Sequence, residues 1–283
     1  MGERRESEIL GKPDFGLFAI VALLTGFGAL MVFDASYGKT ADAKWANFDT
    51  LYMLKRQIAY LCSGLVLMVA VSRIKLKTLR KISTPLLVVT IFSLIALLVV
   101  GAEVNGAKRW FKAGPISIQP SELAKIAIVL YLAGLLASKK INIRRISERW
   151  LSPLLVVGFV SGVIFIQPDM GTALIIVGSS FFMLYGAGAR KGHLFLMGLT
   201  GIALGVGALI FEPYRMDRVR VWLNPWIDQY DKGYQVIHSL MALGTGGIFG
   251  VGLCEGREKF YIPASSTDFI FSTIGEELSL IHI

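Results

Sequence analysis

Five stretches of the chain place ionisable or glycine residues at spacings that could support chemistry. The first is 105–125, NGAKRWFKAGPISIQPSELAK. Pro120 suits a first helical turn, and Glu122 and Lys125 follow at i, i+3 on one face. That pair reads either as a structural ion pair or as the polar wall of a cavity, because ionisable residues inside a membrane usually face one. Arg109 beside Trp110 sets a cation next to an interfacial aromatic. The second is Gln167-Pro168-Asp169-Met170-Gly171-Thr172. Asp169 is placed to cap the helix that follows, and a tight turn carrying Gln and Asp can also line a site. The third is 214–235, where Arg215, Arg218 and Arg220 are mixed with Tyr214, Trp222 and Trp226. It reads as an interfacial helix drawn to anionic headgroups, or as guanidinium forks that bind a phosphate or pyrophosphate. The fourth, 233–252, holds six glycines, at 233, 244, 246, 247, 250 and 252. It is expected to rest in or re-enter the outer leaflet, with its irregular part buried in protein. The fifth is 256–278, where Asp268 meets the apolar run Phe269-Ile270-Phe271. Thr267 or Asp268 can serve as an N-cap. A carboxylate at a membrane boundary, downstream of Arg257 and Lys259, is also a reasonable general base. Glu276 and Glu277 lie two turns deeper, and two carboxylates in an apolar run require a partner or a cavity for at least one.

Other chemistries find little support. His193, His238 and His282 lack zinc-ligand spacing, and no serine-hydrolase elbow, Walker loop or dinucleotide fingerprint is present. Cys62 and Cys254 sit among apolar residues and read as inert.

The elements that must position these groups are membrane helices. Of 283 residues, 54% are hydrophobic and 17% charged, and the mean hydropathy is +0.61. Water-soluble domains carry more charge and less apolar residue. Disorder, a collagen-like repeat and a disulfide scaffold are excluded by hydrophobicity, by the absence of a glycine period and by two cysteines. Long apolar runs at 15–33, 57–72, 82–102, 118–138, 150–168, 170–189 and 192–211 predict seven complete spans, and an eighth begins near Phe269. The first run reads as an uncleaved helix. Fifteen of the 29 Lys and Arg fall in 1–12, 73–81, 139–149 and 190–191, which the positive-inside rule assigns to the cytoplasm. The N-terminus is then cytoplasmic, and 34–56, 103–119 and 212–267 face outward. The net charge of +9 is thereby mostly topological, which argues against a nucleic-acid partner.

Taken in order, these motifs resemble those of the SEDS family of peptidoglycan glycosyltransferases (FtsW, RodA and SpoVE). The resemblance runs from about residue 14 to 278. It is carried by Asn105-Gly106-Ala107-Lys108-Arg109-Trp110, Gln119-Pro120-Ser121-Glu122 with Lys125, and Gln167-Pro168-Asp169 with Gly171-Thr172. It continues through Tyr214-Arg215 with Arg218, Gly233-Tyr234-Gln235, Gly244 to Gly252, Pro263 to Phe269, and Gly275-Glu276-Glu277-Leu278. It implies an all-α polytopic membrane bundle of ten helices in the full family, read here as a single domain over 1–283. A large outer loop between helices seven and eight corresponds to 212–267. Gly233-Tyr234-Gln235, Gly250-Val251-Gly252-Leu253 and Arg257-Glu258-Lys259-Phe260 lean toward the FtsW-like branch, which acts in cell division.

The resemblance also implies a reaction. Two lipid II molecules bind at the outer leaflet of the bacterial cytoplasmic membrane. One glycan is transferred to the 4-hydroxyl of the other with inversion, releasing undecaprenyl pyrophosphate. Asp268 matches the family's essential aspartate, with the expected role of general base. Arg109, Arg215, Arg218 and Lys259 are candidates to hold the pyrophosphate. Glu122, Lys125, Gln167 and Asp169 are expected to line the cavity. A divalent cation can assist at the pyrophosphate, but no ligand set is visible in the sequence. Expected partners are a class B penicillin-binding protein and other divisome or elongasome membrane proteins. A lipid II flippase and a non-catalytic divisome scaffold are the competing readings. Two positions depart from the family pattern: Ala264 and Ser266 stand where it usually has Glu and His. The chain stops at Ile283, inside the eighth span, so it reads as C-terminally truncated, and its activity as written is left open.

Overall fold

The computed structural model describes residues 14–41, 49–104, 107–113, 116–137, 148–192, 194, 195, 197–199, 201, 202, 205 and 213–279. They fall into two compact units, one of 1–72 with 212–283 and one of 73–211.

In the first unit, α1 spans Phe15–Ala41 and α2 spans Tyr52–Ser72. The sequence predicts an end to the first helix near residue 33, but the helix continues two further turns through Asp34. At ~1.5 Å per residue, Asp34 stands about 28 Å along the axis from Phe15, at the far edge of a ~30 Å hydrocarbon layer. Within the apolar stretch, the Thr25 hydroxyl donates to the carbonyls of Val21 and Ala22, so it is satisfied inside its own helix. Helix α2 buries none of its residues in the described structure. It packs on α1 and leaves most of its apolar side chains exposed, as a helix facing lipid or further protein does. The rest of this unit is α7 (Pro213–Leu223), a 3₁₀ turn at Pro225–Asp228, α8 (Tyr234–Gly246), a 3₁₀ turn at Glu258–Phe260 and α9 (Ile270–Leu278). Helix α8 packs on α9, and α9 on α1.

The second unit holds α3 (Leu76–Val100), α4 (Pro120–Leu136), α5 (Glu148–Ile166) and α6 (Met170–Gly186). Its core joins Leu87 and Leu94 of α3, Ala124, Ala127, Ile128 and Leu132 of α4, Val160 and Ile164 of α5, and Ala173 and Ile176 of α6. The alanines let helix backbones approach closely, as lipid-embedded packing requires. Among the described residues, α1, α2 and α3 are long and apolar enough to cross a membrane, and α5 and α6 contribute shorter apolar helices. Seventeen residues of α6 measure about 25 Å, just short of the hydrocarbon thickness. The seventh predicted span, 192–211, lies largely outside the described residues.

Between α3 and α4 the structure adds an element that the sequence reading treats as loop. Strands β1 (Ala102–Val104), β2 (Ala107–Ala113) and β3 (Ile116–Ile118) form an antiparallel meander. Phe111 pairs with Ile118, and Val104 with Ala107. Among the described residues the remaining regular elements are helical.

Candidate functional site

The residues singled out by sequence divide between the two units, and each group is described by itself. In the 73–211 unit, β2 carries Arg109 to the turn between α5 and α6. Its Nε donates to the carbonyl of Gln167 at 3.1 Å, and its NH2 to that of Pro168. The Gln167 side chain is buried and donates to the Leu94 carbonyl in α3 at 2.9 Å. Asp169 caps α6, its Oδ1 accepting from the Thr172 N–H at 3.2 Å. Its Oδ2 accepts from Gln119 Nε2 at 3.1 Å and Ser121 Oγ at 3.2 Å. One turn of chain is thus held by groups from α3, β2 and the start of α4. Glu122 and Lys125 pair at 2.8 Å on the exposed side of α4.

This geometry adds contacts that spacing does not show. Arg109 gives two of its N–H donors to backbone carbonyls and so clamps β2 to the 167–168 turn. Gln167 is packed against α3. The capping role expected of Asp169 is present, with two further bonds that spacing does not reveal.

In the other unit, Asp268 is exposed and makes no hydrogen bond or ion pair among the described residues. It is not a helix cap: the N-cap of α9 is Phe269, without a side-chain bond. The backbone around it is closed by N–H donation from Thr267 and Phe269 to the Ala264 carbonyl, both at 3.1 Å.

Beside this turn lies a buried ionic network. Lys259 is 5% exposed and donates to Asp34 Oδ1 at 2.6 Å and Glu277 Oε1 at 2.7 Å. Burial opposes its charge, but these two hydrogen bonds outweigh that penalty and raise the ammonium's pKa above its ordinary value. Lys259 is therefore an internal counter-ion, which contradicts its expected role at the pyrophosphate. Glu276 and Glu277 are each 1% exposed. Glu276 Oε1 accepts from the N–H groups of Arg257 at 2.8 Å and Glu258 at 3.3 Å. Glu277 accepts from Gly256 at 3.2 Å and Cys254 at 3.0 Å. Both carboxylates of the pair thus have partners, where the sequence demanded at least one. Cys254 is an exposed free thiol, its pKa raised by partial desolvation and by the Asp34 carboxylate.

The glycine cluster explains how these groups come so close. A Cβ on Gly246 would stand 2.2 Å from the Gly275 carbonyl oxygen, and one on Gly250 would stand 2.1 Å from that of Glu277. Gly250 also adopts φ +73°, which disfavours any side chain. The N–H groups of Val251 and Gly252 then reach the carbonyls of Glu276 and Glu277 at 3.0 and 3.1 Å. The irregular segment is thus tied to α9 through its backbone, while Ile248, Phe249 and Leu253 stay exposed, contrary to the expectation that it is buried in protein.

On α7, the backbone of Arg215 is helical and its side chain lies outside the described residues. Arg218 is exposed. Asp217 pairs with Lys232 at 2.7 Å and, more loosely, with Arg220 at 3.7 Å. The Lys232 hydrogen bond holds the Asp217 carboxyl below its ordinary value, and Asp217 in turn raises Lys232. Sequence reasoning missed Asp34, and it missed His238, whose Nδ1 lies 2.6 Å from Glu258 Oε2 with Tyr234 and Tyr261 flanking its ring. An acid at the end of an apolar run was the available signal for Asp34.

The profile of the FtsW, RodA and SpoVE cell cycle proteins matches residues 15–283. Stage V sporulation protein E of Bacillus subtilis is 38% identical over 275 residues, covering 95% of this chain and 74% of that protein. The probable peptidoglycan glycosyltransferase FtsW of Shewanella sediminis is 39% identical over 268 residues, covering 94% of this chain and 64% of that one. Among solved structures, a chain of a peptidoglycan synthase complex that coordinates polymerization and crosslinking superposes with a TM-score of 0.69 at 30% identity, over 95% of this chain and 72% of that one. The rod shape determining protein RodA of Thermus thermophilus gives a TM-score of 0.55 at 33% identity, over 68% of this chain and 58% of that one. With the helical architecture, the apolar spans and the linked motifs all in register, the chain belongs to the FtsW, RodA and SpoVE family of multi-pass membrane proteins.

Proposed function

We propose that the chain is a peptidoglycan glycosyltransferase that polymerises lipid II, in the manner of its division-associated relatives. The observation that carries this reading is the likeness, over nearly the whole chain, to proteins named as probable peptidoglycan glycosyltransferases. The physical counterpart is Asp268. It is an exposed carboxylate at the entry to α9, unpaired among the described residues and set on an anchored turn.

In this reading, Asp268 accepts the proton of the acceptor's 4-hydroxyl as that oxygen attacks the donor's anomeric carbon. The bond from the anomeric carbon to the pyrophosphate breaks, and its electron pair leaves on undecaprenyl pyrophosphate. Attack from the face opposite the leaving group inverts the anomeric centre and gives a β-1,4 link. The developing negative charge calls for guanidinium groups. Arg215 and Arg218 of α7 are candidates to supply them. No cluster of three or more His, Cys, Asp or Glu among the described residues could hold a metal ion, so no step is assigned to a divalent cation.

The substrate places the site on the outer face of the bacterial cytoplasmic membrane, with 212–267 as the outer loop and the N-terminus inside. The complex from which one structural relative comes supports a class B penicillin-binding protein as partner, whose transpeptidase would crosslink the new glycan.

Asp268→Asn is the decisive variant. In a purified reaction with the partner and labelled lipid II, polymer formation is lost while lipid II binding persists. Undiminished polymerisation by that variant refutes the role given to Asp268. Transfer of lipid II across liposomes without any polymer would favour a flippase instead.

A further inference from the structure

Between α8 and α9 the chain makes an excursion, 254–269, that is tied to three helices. To α9 it gives the N–H groups of Cys254, Gly256, Arg257 and Glu258. To α8 it gives Glu258, paired with His238 at 2.6 Å. To α1 it gives three contacts within one helical turn. Lys259 reaches Asp34, Ser265 Oγ donates to the Ala35 carbonyl at 3.0 Å, and the Phe260 ring lies on Gly38, where an added Cβ would stand 2.1 Å from it.

The strongest of these ties is the charged one. Asp34, Lys259 and Glu277 are all nearly excluded from solvent. Removing Lys259 would leave two buried carboxylates without their counter-charge, whereas neutralising Asp34 would leave the Lys259–Glu277 pair and cut only the charged tie to α1. Asp268 lies three residues beyond Ser265. An exposed carboxylate with no side-chain partner is aimed only by its backbone, and here that backbone is held from α1 and α9.

We propose that Asp34, Lys259 and Glu277 are positioning residues for Asp268: their buried ion pairs lock the 254–269 excursion, and they act on the reaction only through where that carboxylate stands. The proposal rests on the reading of Asp268 as general base. It goes beyond that reading by giving Lys259 a role that excludes contact with the pyrophosphate, and by bringing Asp34 of the first helix into the catalytic arrangement.

The test uses the full chain in lipid nanodiscs, as wild type, Asp34→Asn and Lys259→Met. Amide hydrogen exchange over 254–269 rises about tenfold or more in both variants, while α3 and α4 keep their protection. In lipid II polymerisation, Asp34→Asn lowers kcat about tenfold, with KM within about twofold of wild type. A lysine that bound pyrophosphate would behave otherwise. Asp34→Asn would leave its ammonium present and kcat intact, and Lys259→Met would act chiefly on KM. Asp34→Asn decides the matter even if Lys259→Met does not fold. Unchanged exchange, or a loss confined to KM, overturns the proposal alone. A wild-type chain that makes no polymer refutes the reading beneath it as well.

Discussion

Gly246→Ala tests whether α8 and α9 touch backbone to backbone. The added Cβ would lie 2.2 Å from the Gly275 oxygen and 2.8 Å from both Cα and O of Glu276. All three are main-chain atoms, so no rotamer can relieve the clash. Opening the closest contact to an ordinary 3.4 Å requires the helices to separate by about 1.2 Å. Overpacking of this kind costs about 1–3 kcal/mol, and a backbone obstacle places it near the upper end. Alanine returns up to about 1 kcal/mol through helix propensity. The net loss is therefore about 2 kcal/mol, roughly a thirtyfold drop in the folded ratio. Gly244 in the same helix supplies the control, because nothing lies within 4 Å of its would-be Cβ. Gly244→Ala should be neutral or stabilising by about 0.5–1 kcal/mol. Denaturant titration in mixed micelles measures both. A Gly246→Ala protein as stable as wild type, or a Gly244→Ala protein that loses as much, would refute the close packing of α8 on α9.

Three further outcomes follow from the same geometry. Asp169→Ala removes a helix cap and the acceptor for Gln119 and Ser121, and should cost about 2–3 kcal/mol in unfolding titrations, while Asp169→Asn should lose much less. Glu122→Gln should move stability by less than about 1 kcal/mol, since its pair with Lys125 is solvent-exposed; a larger loss would mean that the pair is enclosed. The Asp217–Lys232 contact should persist across neutral pH. Asp217, lowered from 3.8, contributes above that value and loses its contribution as pH falls through its folded pKa, whereas Lys232, raised from 10.5, contributes below that value and loses it as pH rises through its own. Exchange protection of α7 that changes between pH 6 and 8 would contradict this.

Much of the architecture was legible because lipid imposes a simple rule on sequence. Apolar runs near bilayer length became α1 to α6, and Pro120 and Asp169 marked helix starts by local chemistry alone. The small sheet at 102–118 was missed although Asn105-Gly106 is a hairpin signal, because β2, with Lys108-Arg109 and Trp110-Phe111 side by side, lacks a clean apolar–polar alternation and was read as loop between spans. The site was legible in its residue types and illegible in its pairings. Lys259 looked like an outward cation because local sequence cannot show that Asp34, 225 positions earlier, and Glu277 enclose it. The contacts of Arg109 were equally hidden, since nothing near it in sequence predicts the carbonyls of 167 and 168.

The reach of the Asp34–Lys259 bond also sets a timetable for biogenesis. The first helix enters the membrane carrying a carboxylate whose cation has not yet been made. At a synthesis rate of roughly 5–20 residues per second, the 225 intervening positions take roughly 10–45 s to emerge. Through that interval Asp34 has to stay at the wet boundary. Nascent chains arrested before Lys259 therefore display an unneutralised acid in their first span. Arrival of the lysine neutralises that group in the same step that ties the turn bearing Asp268 to the first helix.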